Sequence, residues 1–209
     1  ADDFIRNRQH QVDQVAARLD GAPPIVVAPY DAELFGHWWY EGPWWVSSLL
    51  RGSTRAQRTY ELTDLRTYLR RHDRHQAVQL GQSSWGDRGF NEFWLNSTNE
   101  WIYSHLHVAA ERMIELAGAH DDARGELRRA LDQAARELLL AQASDWAFIM
   151  RTGTTVDYAV RRTRTHLQRF TRLYEEISRG AIDARWLEQV EYIDAIFPAL
   201  DYRVYRPRK

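Results

Sequence analysis

Apolar positions recur at helical spacing through most of the chain, with one conspicuous break near its start. Over residues 3–20, Val12, Val15, Ala16 and Leu19 form an i, i+3, i+4, i+7 stripe that predicts an amphipathic helix. Gly21 and then Pro23-Pro24 stop it, by supplying a C′ residue and removing donors. The break is Ile25-Val26-Val27-Ala28, too short for a helix and β-branched, which predicts a buried strand. Helix, turn and fully apolar strand make the αβ half of a βαβ unit and imply a parallel sheet. One strand cannot make a sheet, so its partner strands are expected upstream.

Beyond the strand, Trp44–Leu50 predicts a short helix behind Gly42-Pro43, and residues 51–58 read as a polar loop. Thr63 is placed to cap a helix over Asp64–Arg71. The run Gln76–Leu80 shows no helical period, and Gly81–Gly86 reads as a loop from its Gly and Ser content. Four amphipathic helices follow. Ser97-x-x-Glu100 is a capping box opening a helix with Ile102, Leu106, Ala109, Met113 and Leu116 inward. The second spans Ala123–Ala143, with Leu127, Leu131, Ala134, Leu138 and Ala141 in register. The third starts at Thr154-x-x-Asp157, carries Val156, Val160, Leu167, Phe170, Tyr174 and Ile177, and closes at Gly180. The fourth runs from Asp183 to Phe197, with Leu187, Val190 and Ile193 inward and Pro198 as a stop. The pattern therefore predicts a mainly α chain, with a strand-bearing part to about residue 50 and a bundle-like helical domain after it.

Composition narrows the function more than the fold. A formal net charge of −1 gives no electrostatic reason to propose a nucleic-acid or membrane partner. No stretch approaches the ~20 apolar residues of a membrane span. There is no cysteine, which excludes disulfides and thiol chemistry. The start, Ala1-Asp2-Asp3-Phe4, has neither a basic n-region nor an initiator Met. It is expected to be no signal peptide but the cut edge of something longer, with the cytoplasm as the default location. Nine tryptophans is a high count, and eight fall between Trp38 and Trp146. Such a cluster is either an aromatic-rich core or a sugar-stacking surface.

Candidate chemistry concentrates in Tyr30–Trp45, sixteen residues with seven aromatics, three carboxylates and one histidine. Asp31 follows the predicted strand within three residues, where loops of α/β folds carry catalytic groups. If walled from water by Tyr30, Phe35, Trp38 and Trp39, its carboxyl would be raised toward the range a general acid needs. An N-cap or salt-bridging aspartate is the alternative. Glu33, two residues on, would share Asp31's face in an extended backbone, and a retaining glycosidase holds its carboxyls about 5–5.5 Å apart. Near neighbours on one loop seldom flank a substrate, so Glu33 reads as an orienting or substrate-binding group, or as a loop hydrogen-bonder. His37 beside Trp38 fits a sugar hydroxyl, a hold on Asp31, or a backbone bond within the loop.

Further on, Trp85, Trp94 and Trp101 lie among Ser84, Asn91, Asn96 and Asn99. Flat aromatic faces with side-chain amides suit pyranose rings; an aromatic packing seam, with Trp101 its best candidate, is the other reading. Asp145-Trp146 and Arg151–Thr154 read as the end of one helix and the start of another, where free N–H groups would receive a substrate oxygen or be capped by Thr154. Arg161, Arg162, Arg164, Arg169 and Arg172 read as a solvated face. His105 and His107 face different sides of their helix, and His72 with His75 lacks a clear third ligand, so no metal or other cofactor is expected.

Three stretches also carry a family resemblance. Asp31-Ala-Glu-Leu-Phe-Gly-His-Trp-Trp-Tyr-Glu-Gly-Pro43 resembles the fourth conserved region of glycoside hydrolase family 57, most closely its 1,4-α-glucan branching enzymes. Ser83-Ser-Trp-Gly86, Trp94-Leu-Asn96 and Asn99-Glu-Trp-Ile-Tyr103 resemble the fifth region. Ser144-Asp-Trp-Ala-Phe-Ile-Met-Arg-Thr-Gly-Thr154 resembles the family's helical C-terminal signature.

The resemblance implies a retaining enzyme acting on α-1,4-glucan, with residues 1–50 the last strand and helix of an incomplete (β/α)7 barrel and 51–209 a helical domain contributing to the glucan cleft. By the same resemblance Asp31 is the general acid/base, and Trp85 and Trp94 lie along the glucan path. Glu33, His37, Trp38, Asp145 and Trp146 are the further substrate-binding candidates. The family's first three motifs have no counterpart here, and neither Glu33 nor Glu41 takes the nucleophile's place. The nucleophile is expected on an N-terminal barrel segment outside this chain, which alone is expected to be inactive. A non-catalytic α-glucan-binding or structural module is the competing expectation.

Overall fold

The computed structural model describes residues 1–19, 21–54, 60–75 and 77–207. The loop expected over 51–58 lies partly outside the described residues, as does Gln76 at the head of 76–80. The chain divides into two compact units, Ala1–Gln79 and Leu80–Lys209. Residues 51–79 thus stay with the first unit, whereas the sequence placed a boundary near residue 50.

The first unit comprises α1 (Asp2–Ala16), a one-turn π-helix (Leu34–Trp38), α2 (Gly42–Ser53) and α3 (Leu65–Arg71). On α1 the wholly buried side chain is Ile5, while Val12 and Val15 are half-buried and Ala16 and Leu19 exposed. The unit is held instead by aromatics. Trp45 of α2 lies 5.0 Å from Phe4, 5.2 Å from Trp39 and 5.6 Å from Tyr30, centroid to centroid. Gly42 lets α2 enter this cluster: a Cβ there would sit 2.7 Å from Phe35 Cδ1. The start of α3 is capped by Asp64 rather than Thr63, the Asp64 carboxylate accepting from Thr67 N at 2.9 Å. Asp beats Thr here because an ionised oxygen accepts more strongly at a helix N-terminus.

Ile25–Ala28 does not form a strand, and the described residues contain none. A strand exists only through a paired neighbour, and among the described residues nothing forms a ladder with this run. Ile25 and Val26 line a cleft of about 810 Å³ with Phe4, Tyr30, Phe35 and Trp45, and Val27 is left exposed.

The second unit is all-helical: α4 (Trp101–Ala119), α5 (Gly125–Ala141), α6 (Ser144–Thr152), α7 (Val156–Arg179) and α8 (Ala184–Ile193), followed by a 3₁₀ turn at Tyr202–Tyr205. The inward stripe expected on α4 is buried at all five positions. Leu131, Ala134 and Leu138 of α5, Phe170, Leu173 and Ile177 of α7, Leu187 of α8 and Tyr202 close one core. A second joins Ile102 and Leu106 to Trp146, Ala147 and Met150 of α6. Each fully buried large apolar side chain contributes about 2 kcal/mol.

Three local readings change. The Ser97/Glu100 capping box is not made. Asn99, fully buried, accepts from Asn96 N at 2.9 Å and donates to Phe93 O and Ala147 O, tying the α4 start to α6. Residues 144–152 form a helix of their own, ended by Gly153 at φ 79°. Val156 is 37% and Ile193 58% exposed, because the first turn of α7 and the last turn of α8 overhang the core. Gly180 closes α7 as expected, at φ 65°. No described helix is long and apolar enough to cross a membrane.

Candidate functional site

The candidate residues fall in both units. In the first, the Asp31 carboxylate accepts from Glu33 N at 2.8 Å, an Asx turn that starts the π-helix. The wider π-helical turn, a feature frequent at functional sites, sends Trp38 outward, and its Nε1 donates to Glu33 Oε1 at 3.3 Å. Asp31, Glu33 and Trp38 are therefore assembled by one local hydrogen-bond chain, with His37 exposed in the same turn. The aromatics split into two sets. Phe35, Trp39 and Trp45 pack on one another, whereas Trp38 is 76% exposed, and Tyr40 and Trp44 stand outside as an edge-on pair at 5.3 Å. Asp31 is itself exposed, so the aromatic wall expected around its carboxylate is not formed within this unit.

In the second unit the candidates converge on α6. Phe148 lies 6.3 Å from Trp85, 6.2 Å from Trp94 and 5.2 Å from Phe93, the last pair stacked. Phe148 is the residue that sequence reasoning passed over. Without α6 recognised as a helix, nothing placed it beside the two tryptophans. Trp85 is 74% exposed and presents a free face; Trp94 is half-buried, its carbonyl held by Tyr103 Oη. Asp145 is exposed in the first turn of α6, where the helix dipole favours a carboxylate. Trp146 is only 8% exposed, and its Nε1 donates to Leu140 O at 2.8 Å. Its indole has no face left for a sugar. It fixes the entry of α6 from within.

The arginine face is not simply solvated. Arg169 pairs with Asp194, Arg172 with Glu176 at 2.6 Å and Asp183 at 2.8 Å, and Arg172 also lies 3.9 Å over Trp186. Arg164 stacks 5.6 Å over Trp101 and covers one face of that ring. The α8 C-terminus folds back on α7 and supplies Asp194, which linear sequence could not place.

One trio among the described residues, Glu137, His166 and Asp194, brings a ligand-type atom from each within 4.8 Å of the others, and all three are buried. His166 Nδ1 is 2.7 Å from Glu137 Oε2, Gln133 Nε2 donates to Glu137 Oε1 at 2.7 Å, and Arg169 holds Asp194. Burial pushes the Glu137 carboxyl above its ordinary range, against the lowering effect of the His166 hydrogen bond. With Arg162 4.0 Å from the other Asp194 oxygen, two guanidiniums already balance two carboxylates. A divalent ion would leave this buried group with net positive charge, so the trio reads as a structural ion network.

Residues 105–205 match the family model for the C-terminal region of 1,4-alpha-glucan branching enzymes. A 1,4-alpha-glucan branching enzyme of Thermococcus kodakarensis is 37% identical over 183 residues, covering 85% of this chain and 27% of that enzyme. The crystal structure of that family 57 branching enzyme, in complex with glucose, superposes over 100% of this chain and 39% of its own, with TM-score 0.71 and 32% identity. The alpha-amylase AmyC of Thermotoga maritima superposes over 99% of this chain and 38% of its own, with TM-score 0.63 and 38% identity. The chain belongs to glycoside hydrolase family 57. Within it, the chain corresponds to the C-terminal portion of the branching enzymes, and spans 27% to 39% of the length of these relatives.

Proposed function

We propose that this chain supplies the acid/base half of a retaining 1,4-α-glucan branching site. The observation that carries the reading is the turn that assembles Asp31, Glu33 and Trp38 at the head of the string Asp31–Pro43, in a chain matching branching enzymes along its length. Asp31 protonates the leaving glycosidic oxygen while a carboxylate nucleophile on an N-terminal barrel segment takes the glucosyl unit. Asp31 then removes the proton from an acceptor 6-hydroxyl, whose oxygen displaces the nucleophile and forms the α-1,6 branch. The same barrel segment would pair the unpartnered run Ile25–Ala28 and desolvate Asp31. Residues 1–50 then carry the barrel's last edge, and the all-helical unit Leu80–Lys209 is the helical domain.

In this reading Trp38 and Trp85 offer exposed stacking faces, and Glu33, His37 and Asp145 hydrogen-bond glucan hydroxyls. Trp94 lines the path behind Trp85. Trp146 acts from below, by holding the helix that carries Asp145 and Phe148. No metal or other cofactor enters the chemistry, and the setting is the cytoplasm, where α-glucan is assembled.

The exposure of Asp31 favours one alternative, a glucan-binding module without catalysis. The likeness to an amylase favours another, transfer to water or to a 4-hydroxyl in place of a 6-hydroxyl. Incubating amylose with this chain alone and with the longer protein carrying a family 57 barrel segment separates them. The proposal expects α-1,6 linkages from the longer protein only; linkages from this chain alone, or none from either, would overturn it.

A further inference from the structure

The buried ions of the helical unit extend in one continuous line toward α6. Glu137 of α5 and His166 of α7 are both wholly buried, and His166 Nδ1 lies 2.7 Å from Glu137 Oε2 and 3.9 Å from Asp194 Oδ2. Asp194, at the end of α8, is 7% exposed and held on one oxygen by Arg169. Its other oxygen is 4.0 Å from Arg162 Nη2. The Arg162 guanidinium in turn lies 5.9 Å over the ring of Trp146. Arg162 Nε is buried without a hydrogen-bond partner among the described residues, and its head lies between Asp194 on one side and the indole on the other.

Such a line is expensive. Each buried charge loses its hydration, and the attraction returns that cost only in a fixed arrangement. His166 Nε2 adds a further unpartnered buried atom. An apolar core would hold α5, α7 and α8 together without any of these costs, and the neighbouring cluster of leucines already does so. What an ion line adds over apolar packing is direction, because each partner accepts only a narrow geometry.

We propose that the network Glu137–His166–Asp194–Arg162 is a positioning device for α6. Arg162 is the residue that passes its geometry to Trp146. Trp146 is pinned twice, by the guanidinium over its face and by its own donation to Leu140 O. One turn of α6 around it carries Asp145 and Phe148, and Phe148 is the common neighbour of Trp85 and Trp94. The consequence for glucan rests on the functional reading above; the positioning of Trp146 does not. Arg162 and His166 are positioning residues, remote from any reacting atom.

The test follows the Trp146 indole N–H by ¹H–¹⁵N correlation in this chain, assigned by its loss in Trp146→Phe. In Arg162→Gln and Asp194→Asn the resonance is expected to shift and its hydrogen exchange to accelerate about tenfold, with Arg162→Lys restoring part of the protection. His166→Ala, the variant at greatest risk of unfolding, is replaced by His166→Gln for the same reading. Unchanged shift and exchange in folded Arg162→Gln and Asp194→Asn would overturn the proposal. So would a zinc-induced shift in the unsubstituted chain that a chelator reverses, which would make the trio a metal site. Maltohexaose titration of the same samples separates the two readings. Weaker binding, by about three- to tenfold in the variants, supports both. Indole changes with no maltohexaose binding even by the unsubstituted chain keep the positioning role and count against glucan recognition.

Discussion

His166 Nδ1 lies 2.7 Å from Glu137 Oε2, and neither side chain has any exposed surface. Burial is the larger influence on Glu137 and raises its carboxyl above the ordinary value of 4.5. A raised folded value means the folded chain holds that proton more tightly than the unfolded chain. The contribution to stability is therefore full below about pH 4.5 and is lost as pH rises through the folded value. Glu137→Gln removes this dependence, so the variant's stability relative to the original chain should improve between pH 4.5 and pH 7.5. Urea unfolding at the two pH values checks it; parallel changes in both proteins would show that Glu137 is not the group responsible.

Asn99 joins the loop before α4 to α6 through three hydrogen bonds from a fully buried side chain. Asn99→Ala leaves Phe93 O, Ala147 O and Asn96 N without that partner, at a cost of about 2–3 kcal/mol. The measurement is the urea midpoint, with Ser97→Ala as the control. Ser97 was placed by sequence at a capping box that the structure does not make, so its substitution should change stability by less than about 0.5 kcal/mol.

Trp85 and Trp94 flank the same phenylalanine but differ in exposure, and their alanine variants should separate accordingly. Trp85→Ala should leave the unfolding midpoint nearly unchanged and weaken maltohexaose binding by about tenfold, the loss of one stacking face. Trp94→Ala should lower stability by about 2–3 kcal/mol, because part of its ring is packed against α6. Equal losses of stability in the two variants would place both in the core and none on a glucan path.

Long periodic segments were legible, and short or non-local features were not. Ile102, Leu106, Ala109, Met113 and Leu116 announce α4 because five apolar positions over about four turns leave little ambiguity. At nine residues α6 is too short to show a period, and its buried Trp146, Ala147 and Met150 read as a helix boundary instead. That one omission hid Phe148. The strand Ile25–Ala28 failed for a different reason: β-propensity describes a surface that fits a sheet, and the described residues contain no sheet to fit. Asp194, His166 and Glu137 are 28 and 29 residues apart in sequence, so no local pattern could join them. The arginines of α7 looked solvated because most of their partners lie beyond α7: Asp183 and Asp194 at the two ends of α8, Trp101 on α4 and Trp146 on α6. In the site, the turn around Asp31 is a local event, an aspartate accepting from the residue two positions on, where sequence had offered an N-cap or a salt bridge. Its exposure is a property of the surrounding structure, and sequence could state only the condition under which its carboxyl would be raised.

Asp31 is the group proposed to move the proton. Asp31→Asn keeps the size and the Asx-turn acceptor but cannot deliver or remove a proton at the glycosidic oxygen. In the longer protein that carries this chain with a family 57 barrel segment, formation of α-1,6 linkages from amylose should fall by about 10²–10⁴-fold. Binding of maltohexaose should change by less than about threefold. Linkage formation by Asp31→Asn within tenfold of the original rate would contradict the assignment of the acid/base to this chain.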